Sequence, residues 1–185
     1  MEAKGTAVET LPRFVMNRFG KEYLNRWMDS LSEEAREEFS NGILSFQWYP
    51  LKGLLVDPTL RLCELLYGSD LEGAVEVGRF SAEYALKGIY KLFVRLGSPE
   101  SLIKRASTIL PTYYRPCAME VVEVSNGGGT VRITDFREMH PIVELRIKGW
   151  MEKALKISGC NDINITISKS LTNNDAYTEF VARYD

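Results

Sequence analysis

The sequence predicts an α+β fold, with an N-terminal helical half packed on a C-terminal twisted antiparallel sheet. Two patterns carry that expectation. Up to about Leu110, apolar residues recur near the 3.6-residue period and are punctuated by glycine, proline and serine. Beyond it, strand-like segments appear at Met119–Val124, Thr130–Phe136, INITIS (163–168) and YTEFVARYD (177–185), interrupted by a helical run from Pro141 to Ser158.

The helical half reads in order. A first helix is expected over Val8–Phe19, regular from about Leu11 because Pro12 suits a first turn, and closed by Gly20. Lys21–Leu31 places Tyr23, Leu24, Trp27 and Met28 on one face. Ser32 reads as an N-cap, with Glu33 and Glu34 favourable to the dipole of a helix that ends near Gly42. Ile43–Tyr49 is short and aromatic, and Pro50 disfavours helix at Tyr49, so this segment is expected to be extended.

Helix resumes near Pro58, with Leu60, Cys63, Leu66 and Tyr67 in register, and stops at Gly68. Asp70 caps the longest helix, about Leu71–Leu96, whose apolar positions include Val75, Ala82, Leu86, Ile89, Phe93 and Leu96. Gly78, Ala82 and Ala85 keep part of that face small and permit a close helix crossing. Glycine inside a helix costs roughly 1 kcal/mol against alanine, so Gly73, Gly78 and Gly88 point to packing or ligand constraints. Gly97 ends this helix, Ser98-Pro99-Glu100 opens another, and Pro111 stops that one.

The C-terminal half begins with a hairpin around Ser125-Asn126-Gly127-Gly128-Gly129. Its glycines lack the lysine and following helix of a phosphate loop and are read as a turn. In the helix after His140, Val143, Ile147, Trp150, Met151, Ala154 and Leu155 form one stripe. Glu144, Lys148, Glu152 and Lys156 form an i,i+4 ladder on a different, solvated face. Ile163, Ile165 and Ile167 then alternate with polar residues, as do Phe180, Ala182 and Tyr184 in the last strand. One domain is expected over 1–185, with residues 1–7 a flexible tail.

Composition excludes several classes. A net charge of −2 gives no bulk electrostatic reason for nucleic-acid binding. No apolar run approaches the ~20 residues of a membrane span, and no signal-like segment opens the chain, so a cytoplasmic location is expected. Cys63, Cys117 and Cys160 are scattered and odd in number, which fits buried reduced thiols rather than a disulfide framework or zinc site. His140, the single histidine, precedes Pro141 and reads as a helix-start residue. No metal ligand set and no nucleophile–base pair is recognisable, so no enzyme activity is expected.

Aromatic residues are the remaining signal. Phe46, Trp48 and Tyr49 precede a helix, Tyr84 and Tyr90 lie on the long helix, and Tyr113 and Tyr114 follow another; such aromatics could line an apolar pocket or serve as core anchors. Arg79 could neutralise an acidic ligand there, or pair with Glu83 at i,i+4.

The segments KGTAVETLPRFVMNRFGKEYLNRWMDSL (4–31), FQWYPLKGLL (46–55), VGRFSAEYALKGIYKLFVRLGSPESLIKRAS (77–107) and HPIVELRIKGWMEKALKISG (140–159) carry a resemblance. The chain resembles a family of uncharacterised bacterial proteins abundant in myxobacteria. That family is related to haem–nitric-oxide-binding (HNOX) domains, 4-vinyl reductase domains and subunits of the TRAPP tethering complex. The resemblance implies an HNOX/TRAPP-like fold, often enclosing an apolar pocket, without transferring an activity.

Haem-binding relatives use a proximal histidine and a Tyr-x-Ser-x-Arg motif. This chain has no such motif and no histidine in the helix ending near Leu110, so no haem and no other cofactor is expected. The cysteines that 4-vinyl reductase relatives carry near the last strands are missing from SKSLTNNDAYTEF (168–180). TRAPP subunits can hold an acyl chain on a cysteine, which would make Cys63 the acylation candidate.

The expected function is a non-enzymatic sensor or regulatory domain binding a small apolar or amphipathic ligand, lined by Phe46, Trp48, Tyr49, Arg79, Tyr84 and Tyr113. The alternative is a TRAPP-like scaffold or adaptor acting through a homodimer or a protein partner, with the small-residue helix at 71–96 as the candidate interface.

Overall fold

The computed structural model of the chain describes residues 1–86 and 98–185. It opens with strand β1 (Glu2–Lys4), which runs into α1 (Gly5–Val8) and α2 (Thr10–Phe19). Next come α3 (Lys21–Ser30), α4 (Glu33–Asn41), β2 (Trp48–Pro50), a π-helical turn (Lys52–Val56), α5 (Asp57–Leu66) and α6 (Glu72–Ala85). Past the undescribed stretch lie α7 (Pro99–Lys104), α8 (Ala106–Ile109) and a 3₁₀ turn (Leu110–Thr112). The C-terminal part holds β3 (Tyr114–Arg115), β4 (Ala118–Ser125), β5 (Gly128–Asp135), α9 (Pro141–Ile157), β6 (Asn164–Lys169) and β7 (Thr178–Arg183). The α+β layout read from the sequence is the one observed.

Local chemistry accounts for most boundaries. Gly20 and Gly159 sit at positive φ where α2 and α9 end, a backbone region glycine enters without a Cβ clash. The Ser32 and Ser98 hydroxyls accept from the Ala35 and Ser101 amides and cap α4 and α7. Asp70 accepts from the Glu72 amide, and His140 Nδ1 accepts from the Ile142 amide at the start of α9. His140 is therefore a capping residue.

Two antiparallel sheets form. The larger has the order β4-β5-β7-β6, with Val131 opposite Phe180 and Ile165 opposite Ala182. These four side chains face inward and are buried. The smaller sheet has the order β2-β1-β3. It overturns the expectation of a tail at 1–7: Ala3 is fully buried, opposite Tyr49 and Tyr114. A three-residue strand whose partners lie far along the chain leaves no local periodicity to read. The expected extension at 43–49 shrinks to β2 for the same reason, since only the residues that find a partner become strand.

The helical half is built around Trp27. Its ring is fully buried, meets Phe39 edge-on, and donates Nε1–H to the Pro58 carbonyl at 2.9 Å. One apolar cluster then runs continuously from Ala3 through Trp27 and Val77 to Phe180 and Tyr184.

Helices α6 and α9 cross at glycines on both sides. A Cβ on Gly78 would lie 2.1 Å from the Arg146 carbonyl oxygen, and one on Gly149 would lie 2.1 Å from that of Val75. Gly78 and Ala82 of the small face of α6 are thus consumed inside the chain. Ile89, Phe93 and Leu96, expected on the same helix, lie outside the described residues, as does Gly88.

The ladder on α9 also needs correction. Glu144 is buried rather than solvated. Its carboxylate accepts from the Ser170 hydroxyl at 2.7 and 2.8 Å and from the Thr178 hydroxyl. A helical charge pattern shows spacing but not which face the sheet covers.

Candidate functional site

A cavity of about 80 Å³ lies where α6, α9, the α7–α8 segment and the sheet converge. Met119 and Val131 wall it from the sheet, Ile103 from α7, and Ile147, Met151 and Leu155 from α9. The lining is almost wholly apolar. Space for one water requires roughly 10–15 Å³ by this measure, so the volume corresponds to on the order of five waters in a place that offers them few partners. Such a cavity suits a small apolar group.

Its polar groups are few. Ser81, Tyr113, Tyr114, Arg146 and Trp150 contribute to the wall. The Ser81 hydroxyl is engaged with Thr10 at 2.8 Å, and Tyr113 meets the Trp150 ring edge-on. Trp150 Nε1 is buried and has no hydrogen-bond partner among the described residues. Tyr114 is buried, its hydroxyl faces the Arg146 guanidinium, and burial raises its pKa.

Arg146 is the exceptional residue, only 3% exposed in the middle of α9. Its guanidinium donates to the Ala7 carbonyl at 3.0 Å and to Thr59 Oγ1 at 3.3 Å. The same Ala7 carbonyl accepts from Thr10 at 2.7 Å, and Thr59 Oγ1 donates to the Leu55 carbonyl at 2.6 Å. Among the described residues no Asp or Glu pairs with Arg146, and the ionisable groups beside it are the Tyr114 phenol and the Cys63 thiol. Residues 87–97 contain neither Asp nor Glu, so they hold no carboxylate that could do so.

The sequence-selected residues distribute differently. Tyr113 reaches the cavity; the other five are not among its lining. Phe46 is 72% exposed on the loop before β2. Trp48 lies under the Lys4 and Arg115 cations, 4.7 and 4.2 Å from its ring centroid. Tyr49 uses its hydroxyl to accept from the Leu44 amide at 2.9 Å and donate to Gln47. Tyr84 stacks on Phe80 under Arg13. Arg79 binds Glu72, Glu76 and Glu152 on the surface of the α6–α9 pair rather than Glu83, and is thereby neutralised.

Arg146 and Trp150 line the cavity and are not among the sequence-selected residues. The available signal was that Arg146 occupies the apolar stripe, three residues after Val143 and four before Trp150.

Cys63 is buried between α5 and α6 near Gly73, and burial pushes its thiol up to about 11. A thiol so placed is a poor nucleophile. Native protein is expected to leave Cys63 unmodified by iodoacetamide at pH 8, with modification appearing once denaturant opens α5–α6. Peptide mapping of both samples checks this.

The fold and cavity together define the class: an α+β domain of the H-NOX fold. H-NOX protein from S. oneidensis in the Fe(II)NO ligation state superimposes with a TM-score of 0.75 at 13% identity, over 98% of this chain and 99% of that one. Fe(II) unliganded H-NOX from K. algicida gives 0.74 at 12% identity, over 98% and 96%. A point variant of T. tengcongensis H-NOX gives 0.71 at 12%, over 98% and 97%. Comparison by sequence with protein families and with curated proteins finds no match. At these identities the shared property is the fold.

The residues present do not fit a histidine-held haem. The only histidine caps α9 through its ring nitrogen and is not part of the cavity wall. Among the described residues no group of three or more His, Cys, Asp or Glu could hold a metal ion, and no helix is long and apolar enough to cross a membrane.

Proposed function

We propose that this chain is a non-enzymatic sensor or regulatory domain that takes a small apolar or amphipathic molecule between α6, α9 and the sheet. The observation that carries the proposal is the apolar cavity at this junction, with a buried arginine and an unpartnered indole N–H in its wall. Burying an apolar ligand there contributes about 25 cal/mol per Å² removed from water, and the few polar groups orient it. The H-NOX fold of the relatives supports the reading at the level of architecture. Tyr113, Tyr114, Arg146 and Trp150 replace Phe46, Trp48, Tyr49, Arg79 and Tyr84 as the assigned polar and aromatic contacts.

Freshly purified protein should show a mass excess by native mass spectrometry that disappears under denaturing conditions. A bare mass, with no thermal stabilisation by any of a panel of small apolar molecules, would refute the reading. An excess that survives denaturation would mean covalent attachment and would send attention to Cys63.

A further inference from the structure

We infer that the ligand is an anion, a compact monocarboxylate with an apolar body, whose carboxylate pairs with Arg146 while its body fills the adjoining cavity. The inference rests on the ligand-binding reading above and adds the charge that the ligand must carry.

The argument begins with what burial of a guanidinium requires. Arginine stays protonated in proteins and carries five N–H donors. Removing such a charge from water costs several kcal/mol unless an anion and further hydrogen bonds compensate. Among the described residues Arg146 meets only neutral groups, the Ala7 carbonyl, Thr59 Oγ1 and the Tyr114 phenol, and no carboxylate. The half-buried Arg79 and Arg132, by contrast, have carboxylates beside them. Among the described residues Arg146 alone combines burial, missing counter-charge and a place on a cavity wall.

Its neighbours suit the same occupant. Tyr114 places a phenol beside the guanidinium, and Trp150 carries an unused donor in the same wall. A carboxylate accepts from all three groups and offers nothing for them to repel. The remaining wall, from Ile103 to Leu155, accepts only apolar matter. A cationic or polyhydroxylic ligand is disfavoured by the first feature and by the second respectively. The cavity volume limits the body to a short chain or one ring.

The competing account is that Arg146 is a strut, tying α1 and α5 to α9 through Ala7 and Thr59. It requires no anion, and it predicts a different result.

The test measures the binding of octanoate and of 1-octanol to the full chain by isothermal titration, with thermal shift as a second readout, on wild type and Arg146→Met. Wild type is expected to bind octanoate about tenfold or more tightly than octanol, the ratio for one charge-assisted hydrogen bond. Arg146→Met should remove that preference and leave octanol affinity within about twofold. Should the variant not fold, the wild-type ratio decides alone, and Arg146→Lys, which retains the charge, should keep a preference for octanoate. Equal binding of the two probes by wild type would overturn the anion assignment while leaving the cavity reading intact. Binding of neither would overturn both.

Discussion

Replacing Gly149 with alanine should destabilise the chain by about 3 kcal/mol, at the upper end of overpacking effects. For a protein of this size that lowers Tm by roughly 6–12 °C. The new Cβ would stand 2.1 Å from the Val75 carbonyl oxygen, a backbone atom that can move only if α6 moves with it. Gly78→Ala should cost a similar amount, since its Cβ would meet the Arg146 carbonyl at the same distance. The double variant should cost less than the sum, because separating the helices for one methyl makes room for the other. Gly53→Ala is the control: nothing lies within 4 Å of its Cβ, and Tm should hold or rise slightly. Thermal unfolding of the four proteins checks this, and an unchanged Tm for Gly149→Ala would contradict the crossing described here.

The second large effect is expected at Glu144. Its carboxylate accepts from Ser170 and Thr178, while the Ser170 hydroxyl accepts from the Thr172 amide and that of Thr178 from the Leu171 amide. One buried acceptor thus fixes both hydroxyls, and through them the turn joining β6 to β7. Hydrogen bonds to charged groups contribute about 1.5–3 kcal/mol each, so Glu144→Ala should cost about 3–5 kcal/mol by urea unfolding. Glu144→Gln keeps one acceptor oxygen and should recover part of the loss. Amide exchange at Leu171 and Thr172 should accelerate more than at Val131 in the sheet centre. Uniform acceleration would mean that Glu144 acts on global stability without organising this turn.

The site was less legible than the fold, and the reason is visible in particular residues. Tyr84 and Arg79 sit on helix faces that look available in sequence, yet neighbouring helices supply Arg13 over one ring and Glu152 beside the other cation. Trp48 and Tyr49 were chosen as an aromatic cluster, but alternation in β2 turns one ring toward surface cations and the other into the core. Tyr113 follows a helix stop, and the chain there turns toward the cavity. An arginine in an apolar stripe ordinarily extends its long stem to reach water, so the spacing of Arg146 does not mark it as a site residue.

By itself the sequence determined the order and kind of the main elements, their capped ends, and a small face at Gly78 that permits a close helix crossing. These follow from short-range physics: the 3.6 and 2.0 periods, the hydroxyls of Ser32 and Ser98, and the backbone freedom of Gly20 and Gly159. Only the tertiary structure decided that residues 2–4 become the middle strand of a sheet, that Glu144 is buried, and that Arg146 faces a cavity without a counter-charge. Each of these depends on groups tens of residues apart meeting in space, and the energy of a buried charge is set by what surrounds it.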